Sequence, residues 1–325
     1  MMLHEISIEI IQKCPNNCIH CSSYSSWDKA AMMPLELIQQ VVRDAAELGA
    51  KTICLSGGEP FLHPQIVDIV ECIAELGVKC VIYTSGIYFD GITYQSIPDA
   101  LLERIKDGVD KLIINYEASD AETYDTIMGT HVGGYALMRH TIGNAIKEGI
   151  IVETHVVPMK INYQQIPAII MQCEELEVSR ISFLRMVEHG RVLENKEIII
   201  LTDGEINQTK EMIRSVVEDK AVAIRFGIPF SDCTHRKSCM TGTSKLNIRY
   251  DGLVYPCEAF KNDLPSGFVK NKPDSIYLKT LKEIYANSAY LSEIRERLQE
   301  YQMIETDENC MNQYYMKNAE CENDI

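Results

Sequence analysis

The chain alternates between two hydrophobic patterns from residue 4 to about residue 200. Short runs rich in β-branched residues predict strands at 5–11, 52–56, 80–84, 111–116, 151–158 and 180–184. Apolar residues at helical spacing lie between these runs and predict helices that include 34–48, 64–76 and 165–176. Six β–α units in series imply an α/β fold, a partial (β/α)6 TIM-type barrel with right-handed crossovers. Functional sites in such folds lie at the carboxyl ends of the strands.

The pattern changes after residue 200. Thr202 and Glu205 have the spacing of a capping box, which predicts a helix to about residue 217. Asp-Gly at 251–252 between two apolar runs predicts a hairpin, and a long helical pattern covers 278–301 before a polar tail. We therefore predict a core domain at 1–200 and a small α+β domain at 201–325.

Charge and hydropathy argue against several classes of function. The 325 residues carry a formal net charge of −16, and phosphate binding needs clustered Lys and Arg, so the composition argues against a nucleic-acid partner. No apolar run approaches the roughly 20 residues that span a bilayer. The N-terminus lacks the basic start and apolar region of a signal peptide. We expect a cytoplasmic protein with no membrane partner.

Twelve cysteines are a high count for such a chain. Four of them lie inside apolar strand or helix patterns, where a cysteine is usually a small buried hydrophobe: Cys54, Cys72, Cys80 and Cys173. The other eight lie near turns or at the end of the chain, and they form groups. Grouped cysteines in a cytoplasmic protein favour metal or redox chemistry.

The first group follows the first predicted strand and consists of Cys14, Cys18 and Cys21. Three thiolates within eight residues can hold one face of a cubane iron–sulfur cluster. Such a set leaves the fourth iron open, as a catalytic centre requires. The alternative is a structural zinc loop, for which His20 is a candidate fourth ligand.

This CxxxCxxC spacing resembles that of the radical S-adenosylmethionine (SAM) superfamily. Gly57, Gly58, Glu59 and Pro60 match the GGEP motif of that family at the end of the second predicted strand. In the family, the glycines let the backbone approach the methionine moiety of SAM, and the cofactor's amino group lies near the Glu. Ser85 lies in a turn after the third strand that resembles the family's TNG-like turn. The resemblance implies a [4Fe-4S] cluster with three cysteine ligands, bound SAM and formation of a 5′-deoxyadenosyl radical.

The fourth strand departs from the family pattern. Relatives often carry Ser-x-Asp there as a contact to the ribose, whereas this chain has Asn115 and Glu117. Both side chains can hydrogen-bond hydroxyl groups, so we retain them as candidate cofactor contacts. Arg185, at the end of the sixth strand, is a candidate partner of the cofactor carboxylate or a member of a structural ion pair.

A second cysteine group follows in the smaller domain. Cys239 precedes the predicted hairpin and Cys257 follows it, which resembles the opening of the SPASM and twitch domains of the same superfamily. The resemblance implies an auxiliary [4Fe-4S] cluster, with Cys310 and Cys321 as the remaining ligands. The dense later cysteine run of a full SPASM domain is missing, so a twitch-like domain with one cluster is expected. Structural zinc is the alternative at this group.

Cys233 is a further thiol near the second group. Three roles are open for it: it replaces one cluster ligand, it donates a hydrogen atom to a product radical, or it is structural. The donor role would make it a catalytic residue.

The resemblance leaves three classes of function. The first is maturation of a ribosomally made peptide by epimerisation or cross-linking, although no leader-binding module precedes the first strand. The second is dehydrogenation or rearrangement of a small molecule. The third is a non-catalytic redox or sensing protein, which the GGEP match disfavours. Either enzyme class needs an electron donor such as flavodoxin or ferredoxin.

Overall fold

A computed structural model describes most of the chain: residues 2–130, 133–217, 222–227, 230, 239–261, 268–306, 308 and 310–322, with side chains of the last segment described to residue 316. Within these ranges no helix is long and apolar enough to cross a membrane.

The described strands confirm the predicted α/β pattern. All six predicted strands of the first 200 residues are present, with ends that differ from the predicted ones by at most two residues. The strands are β1 (Glu5–Ile11), β2 (Thr52–Gly57), β3 (Lys79–Thr84), β4 (Ile87–Phe89), β5 (Tyr94–Ser96), β6 (Lys111–Asn115), β7 (Val152–Val156), β8 (Arg180–Phe183), β9 (Ala223–Phe226), β10 (Lys245–Ile248) and β11 (Val254–Tyr255).

Nine of these strands form one sheet in the order β11-β10-β1-β2-β3-β6-β7-β8-β9. Each neighbouring pair from β10 to β9 is parallel, and only the β10–β11 hairpin is antiparallel. β4 and β5 form a separate two-stranded hairpin that the sequence did not predict. The largely parallel sheet with intervening helices is the predicted partial barrel.

The described helices cover the strands on the outside. They are α1 (Leu35–Glu47), α2 (Ile66–Glu75), α3 (Asp99–Ile105), α4 (Ala121–Met128), α5 (Gly134–Lys147), α6 (Ile166–Glu175), α7 (Lys196–Ile199), α8 (Asp203–Val217), α9 (Leu281–Asn287), α10 (Ala289–Met303) and α11 (Met311–Glu322). The capping box that predicted α8 is present, because the Thr202 hydroxyl donates to the Glu205 carboxylate at 2.9 Å and accepts from the Glu205 amide at 3.3 Å.

The region after residue 200 differs from the prediction in two ways. The long helix predicted at 278–301 is wrong, because Ser288 has extended backbone and its hydroxyl accepts a hydrogen bond from the Leu291 amide, which ends α9 and starts α10. The polar tail also contains α11. β9 extends the sheet at one edge and β10 pairs with β1 at the other, so strands from beyond residue 200 join the sheet of the first 200 residues. The domain boundary at residue 200 stays a prediction.

The inner face of the sheet is polar. On β1, Ile6 and Ile8 are fully buried in the main core, whereas Glu5, Ser7 and Glu9 line the central cavity. Period-two alternation therefore sends apolar side chains outward against the helices and polar ones inward. We call the interior of the partial barrel the lumen. Because of this alternation, the lumen is a polar site rather than a packed core.

Candidate active site

A cavity of about 860 Å³ occupies the lumen. Cys14, Cys18 and Cys21 line it, together with Gly57 and Gly58. The loop after β1 and the end of β2 thus contribute to one site at the carboxyl ends of the strands. This is the arrangement that the motif positions predicted.

Arg191 lines the same cavity and holds the three-cysteine loop in place. Its Nε donates to the Cys18 carbonyl at 2.7 Å, and one terminal nitrogen donates to the Ser25 carbonyl at 2.8 Å. The Arg191 amide also donates to the Cys21 carbonyl at 3.1 Å. The planar guanidinium suits such multiple contacts, and it fixes a loop that has no regular structure of its own. The sequence carried no signal for this residue.

Two glycines allow other segments to pack closely against the same loop. A Cβ on Gly129, at φ +64°, would lie 2.5 Å from the Asn17 carbonyl oxygen. A Cβ on Gly190, at φ +62°, would lie 2.4 Å from the Cys21 carbonyl oxygen. Both distances are too short for any other residue, so the loop is held between the end of α4 and the segment that carries Arg191.

The first two residues of the GGEP segment must be glycines, because the backbone at the start of the same loop lies against them. A Cβ on Gly57 would lie 2.1 Å from the Ile11 carbonyl oxygen, and one on Gly58 would lie 2.1 Å from the Lys13 carbonyl oxygen. The Gly58 amide donates to Ile11 at 2.6 Å and the Glu59 amide to Lys13 at 2.9 Å. The segment is therefore paired with the start of the cysteine loop while its glycines face the cavity. Pro60 is buried and begins a short 3₁₀ turn.

Glu59 is fully buried, and its carboxylate accepts hydrogen bonds from Thr84, Ser85 and the Phe61 amide. Burial raises the pKa of this carboxyl, and the four donors oppose that shift. Ser85 lines the cavity, but Glu59 is not among the lining residues. Glu59 therefore joins the end of β2 to the end of β3 and holds Ser85 at the cavity wall.

Asn115, Glu117 and His20 meet at the end of β6. The side-chain amide of Asn115 donates to Glu117 Oε1 at 2.9 Å, and the backbone amide of Val157 donates to Glu117 Oε2 at 2.9 Å. His20 Nε2 lies 3.6 Å from Glu117 Oε1. Burial raises the pKa of Glu117 to about 7 and lowers that of His20 to about 4, the latter also because of the Arg191 charge. Asn115 and His20 line the cavity, whereas Glu117 supports them from behind.

The residues present fit an iron–sulfur cluster with a bound polar molecule. Burial raises the pKa of Cys14 and Cys18, and neighbouring thiolates raise it further, so three thiols lie close enough to interact electrostatically. Buried polar atoms with no hydrogen-bond partner also occur at this cavity, among them both side-chain polar atoms of Asn16 and Nδ1 of His20. Unpaired polar atoms are costly unless a ligand or water meets them. No three His, Cys, Asp or Glu side chains of the described chain converge tightly enough for a single metal ion.

The structure brings together three cysteines of the second group. Burial raises the pKa of Cys239 and that of Cys257, the latter to about 12, and the charge of Cys310 adds to both shifts. Arg185 contacts this group, because a terminal nitrogen lies 3.0 Å from the Cys310 sulfur. Arg185 is not among the residues that line the lumen cavity. Cys321 lies in α11, but its side chain is not described, and Cys233 lies outside the described residues.

A second polar network crosses the lumen near the cysteine loop and was also missed. Lys261 donates to the Glu9 carboxylate at 2.7 Å and to the Ser23 hydroxyl at 2.7 Å, and all three residues are buried. The alternating Glu and Ser residues of β1 were the available signal. Lys261 follows Cys257 by four residues, so the segment after the second cysteine group reaches the first.

Comparison with known proteins identifies the family. The model of the radical SAM superfamily matches residues 8–173, which is just over half of the 325 residues. The chain belongs to the radical SAM superfamily. It is therefore an enzyme of the class that uses a [4Fe-4S] cluster to cleave SAM reductively.

Similarity extends well beyond the residues of that family model. PqqA peptide cyclase of Ruegeria pomeroyi is 28% identical over 295 residues, which covers 88% of this chain and 75% of the relative. PqqA peptide cyclase of Rhizobium meliloti is 26% identical over 290 residues, with the same coverage of both chains.

Solved structures share the fold at lower sequence identity. Streptococcus suis SuiB bound to precursor peptide SuiA matches with a TM-score of 0.73 and 17% identity, over 90% of this chain and 67% of SuiB. The structure of anSMEcpe with bound AdoMet matches with a TM-score of 0.67 and 14% identity, over 94% of this chain and 84% of that one. The partial-barrel fold is thus that of radical SAM enzymes.

Proposed function

We propose that this radical SAM enzyme abstracts hydrogen from a ribosomally made peptide and so modifies it, by epimerisation, cross-linking or a related reaction. The observation that carries the proposal is similarity to PqqA peptide cyclases over 88% of the chain, far beyond the segment that defines the superfamily. The match to a structure holding a precursor peptide supports it. The large polar lumen also suits a peptide segment better than a compact apolar molecule.

Cys14, Cys18 and Cys21 are the proposed ligands of the catalytic [4Fe-4S] cluster, with the fourth iron open for the amino and carboxylate groups of SAM. When bound, the cluster would supply the electron that releases a 5′-deoxyadenosyl radical from SAM. Gly57, Gly58, Glu59, Pro60 and Ser85, with Asn115 and Glu117 across the cavity, form the proposed cofactor pocket. Gly57, Gly58, Ser85 and Asn115 line the cavity, while Glu59 and Glu117 orient their neighbours.

Residues 201–325 form the proposed twitch-like unit with one auxiliary [4Fe-4S] cluster. Cys239, Cys257 and Cys310 are the proposed ligands within the described chain, and Cys321 is the proposed fourth. The charge of Cys310 raises the pKa of both Cys239 and Cys257, which supports the grouping. The contact between Arg185 and Cys310 favours a role for this arginine at the auxiliary site over the cofactor carboxylate. Cys233 keeps its three possible roles. A cytoplasmic flavodoxin or ferredoxin is the proposed electron donor.

The test is a mass measurement on peptides. Protein reconstituted under argon is incubated with SAM, dithionite and synthetic peptides translated from the short reading frames beside its gene. We expect one peptide to change mass and to stimulate 5′-deoxyadenosine formation. The Cys14→Ala, Cys18→Ala, Cys21→Ala triple variant should do neither. If SAM is cleaved but only a small molecule stimulates the reaction, the dehydrogenase or rearrangement class replaces the peptide proposal.

A further inference from the structure

Cys54 differs from the other cysteines of the sheet and helices. Cys72, Cys80 and Cys173 belong to the main hydrophobic core, between the sheet and the helices. Cys54 lies on β2 with only 2% of its surface exposed, yet it belongs to a separate small cluster and lines the lumen cavity. Cys72, Cys80 and Cys173 are therefore core residues, as expected. Cys54 faces the lumen instead, and its position needs a separate explanation.

Cys54 shares the wall of the lumen with a phenol and an imidazole. Tyr83 on β3 lines the same cavity and packs against the Cys54 cluster. The Tyr83 ring lies 5.4 Å from the ring of His155 on β7, which also lines the cavity. The thiol is thus held on one side by a polar side chain and is open to the cavity on the other.

The environment keeps the Cys54 thiol protonated. Burial and then the charge of Glu5 raise its pKa, to about 12, although Lys245 and the Tyr83 hydrogen bond act in the opposite direction. At neutral pH the group is S–H rather than thiolate. It is therefore a poor nucleophile or metal ligand. The weak S–H bond is instead suited to giving up a hydrogen atom.

Two unpartnered polar groups mark the lumen as a binding site. Asn247 Oδ1 and the Ser182 hydroxyl are buried, each residue being 1% exposed, and neither atom has a hydrogen-bond partner. Both residues line the cavity. Ser7 on β1 is the register partner of Asn247 on one side and of Cys54 on the other. Asn247 Oδ1 and the Cys54 thiol therefore lie at the same level of the lumen. A polar substrate group that donates a hydrogen bond to Asn247 Oδ1 would lie beside the thiol.

The position of Cys54 along β2 separates it from the cysteine loop. It precedes Gly57 by three residues, which is about 10 Å along a strand. That distance is too long for ligation of a cluster at Cys14, Cys18 and Cys21.

We propose that Cys54 is the hydrogen-atom donor that quenches carbon radicals formed in the lumen. The proposal rests on the radical chemistry of the proposed function but not on the substrate being a peptide. The hydrogen moves from the Cys54 sulfur to the carbon, so the carbon gains a C–H bond and Cys54 becomes a thiyl radical. One electron from a low-potential one-electron reductant, the class that also reduces the cluster, and one proton from water restore the thiol. The substrate carbon thus loses one hydrogen and regains one that exchanges with solvent, as an epimerisation requires.

The test uses SAM alone as the probe, without peptide and without added thiols. In deuterated buffer with dithionite, the radical that forms in the empty lumen abstracts hydrogen from the weakest bond within reach. The O–D bond of water is too strong to donate, whereas Cys54 carries exchangeable S–D. We expect 5′-deoxyadenosine from the parent to contain one deuterium, and Cys54→Ser to lose that label. Serine is close to cysteine in size but has a strong O–H bond.

The readout is the labelled fraction of the 5′-deoxyadenosine that forms, so variants that form less of it remain informative. Cys54→Ala should lose the label as Cys54→Ser does. Cys80→Ala is the matched control, because Cys80 lies on the neighbouring strand but in the core behind the sheet, and it should keep the label. Unlabelled product from the parent, or full label from both Cys54 variants, would overturn the proposal. Loss of label in Cys233→Ser with label retained in Cys54→Ser would assign the donor to Cys233 instead. A failed peptide screen leaves this result unaffected, because no peptide is present.

Discussion

The Glu59 carboxylate accepts two hydrogen bonds from Ser85, one from the backbone amide at 2.9 Å and one from the hydroxyl at 2.6 Å. Its other oxygen accepts from the Thr84 hydroxyl at 2.7 Å and from the Phe61 amide at 3.3 Å. Every partner of this buried carboxylate is a donor, and Ser85 lies at the cavity wall. The acidic residue of the GGEP segment therefore shapes the pocket through Ser85.

We expect Glu59→Gln to weaken SAM binding while iron content is retained. The glutamine NH2 group must face at least one of the donors that now reach Glu59, and an unsatisfied buried donor costs about 1–3 kcal/mol. The expected outcome is a SAM affinity about ten-fold or more weaker, measured by equilibrium dialysis under argon. Ser85→Ala is the matched variant and should weaken binding to a similar extent. A much larger effect of Glu59→Gln than of Ser85→Ala would indicate that the carboxylate contacts SAM directly.

The two cysteine groups predict a countable metal content. Two cubane clusters give about eight irons per chain. Changing Cys14, Cys18 and Cys21 together to Ala should remove about half of the iron and abolish 5′-deoxyadenosine formation, because only the first cluster is lost. Colorimetric iron analysis and chromatography measure the two outcomes. Iron that is unchanged in the triple variant, or stoichiometric zinc in the parent, would contradict the assignment.

Arg185 gives a test that separates the two sites. Its contact with the Cys310 sulfur predicts that Arg185→Ala alters the second cluster rather than SAM binding. We expect Cys310→Ala to lower iron content by up to about half, and Arg185→Ala to shift the electron paramagnetic resonance signal of the second cluster while SAM affinity is kept. Weaker SAM binding in Arg185→Ala, with both cluster signals unchanged, would restore the interpretation that Arg185 contacts the cofactor carboxylate.

Local patterns predicted the strands and the first cysteine group because the determining interactions are close in sequence. The β-branched run at β1 alternates apolar and polar positions, and the next loop carries all three cysteines within eight residues. The same patterns singled out Arg185 but could not identify its partner, and they gave no signal for Arg191, because the partners lie 125 and more than 160 residues away. The alternation at β1 did indicate a polar inner face, because Ser7 and Glu9 alternate with isoleucines.

The break between α9 and α10 shows a different limit. Helical periodicity continues across Ser288, so the pattern at 278–301 reads as one helix. The Ser288 hydroxyl caps the amide of Leu291, which starts a new helix in place of a continuous one. Capping competes with helix continuation at an energy of about 1 kcal/mol, which is too small a difference for periodicity to reveal.

Glu117 gives a prediction about pH, because burial raises its pKa to about 7. The raised value means that the folded protein favours the protonated carboxyl, so this contribution to stability is complete below the ordinary pKa of about 4.5 and is lost as pH rises through 7. The expected decline in the free energy of unfolding is at most about 3 kcal/mol. Glu117→Gln cannot ionise and should lack this decline. In that variant the side-chain amide of Asn115 turns so that its oxygen accepts a hydrogen bond from the glutamine NH2 group.

The measurement compares the two proteins across that range of pH. Unfolding midpoints of both proteins are taken under argon from about pH 5 to pH 8, and the midpoint of the parent should fall relative to that of Glu117→Gln as pH rises. The nearby His20 is present in both proteins, so the difference between them isolates the carboxyl to first order. Asn115→Ala removes the hydrogen bond that stabilises the charged form of Glu117 and should extend the decline to higher pH. A constant difference between parent and Glu117→Gln across this range would mean that the carboxyl is already ionised in the folded enzyme at pH 5, contrary to its burial between Asn115 and Val157.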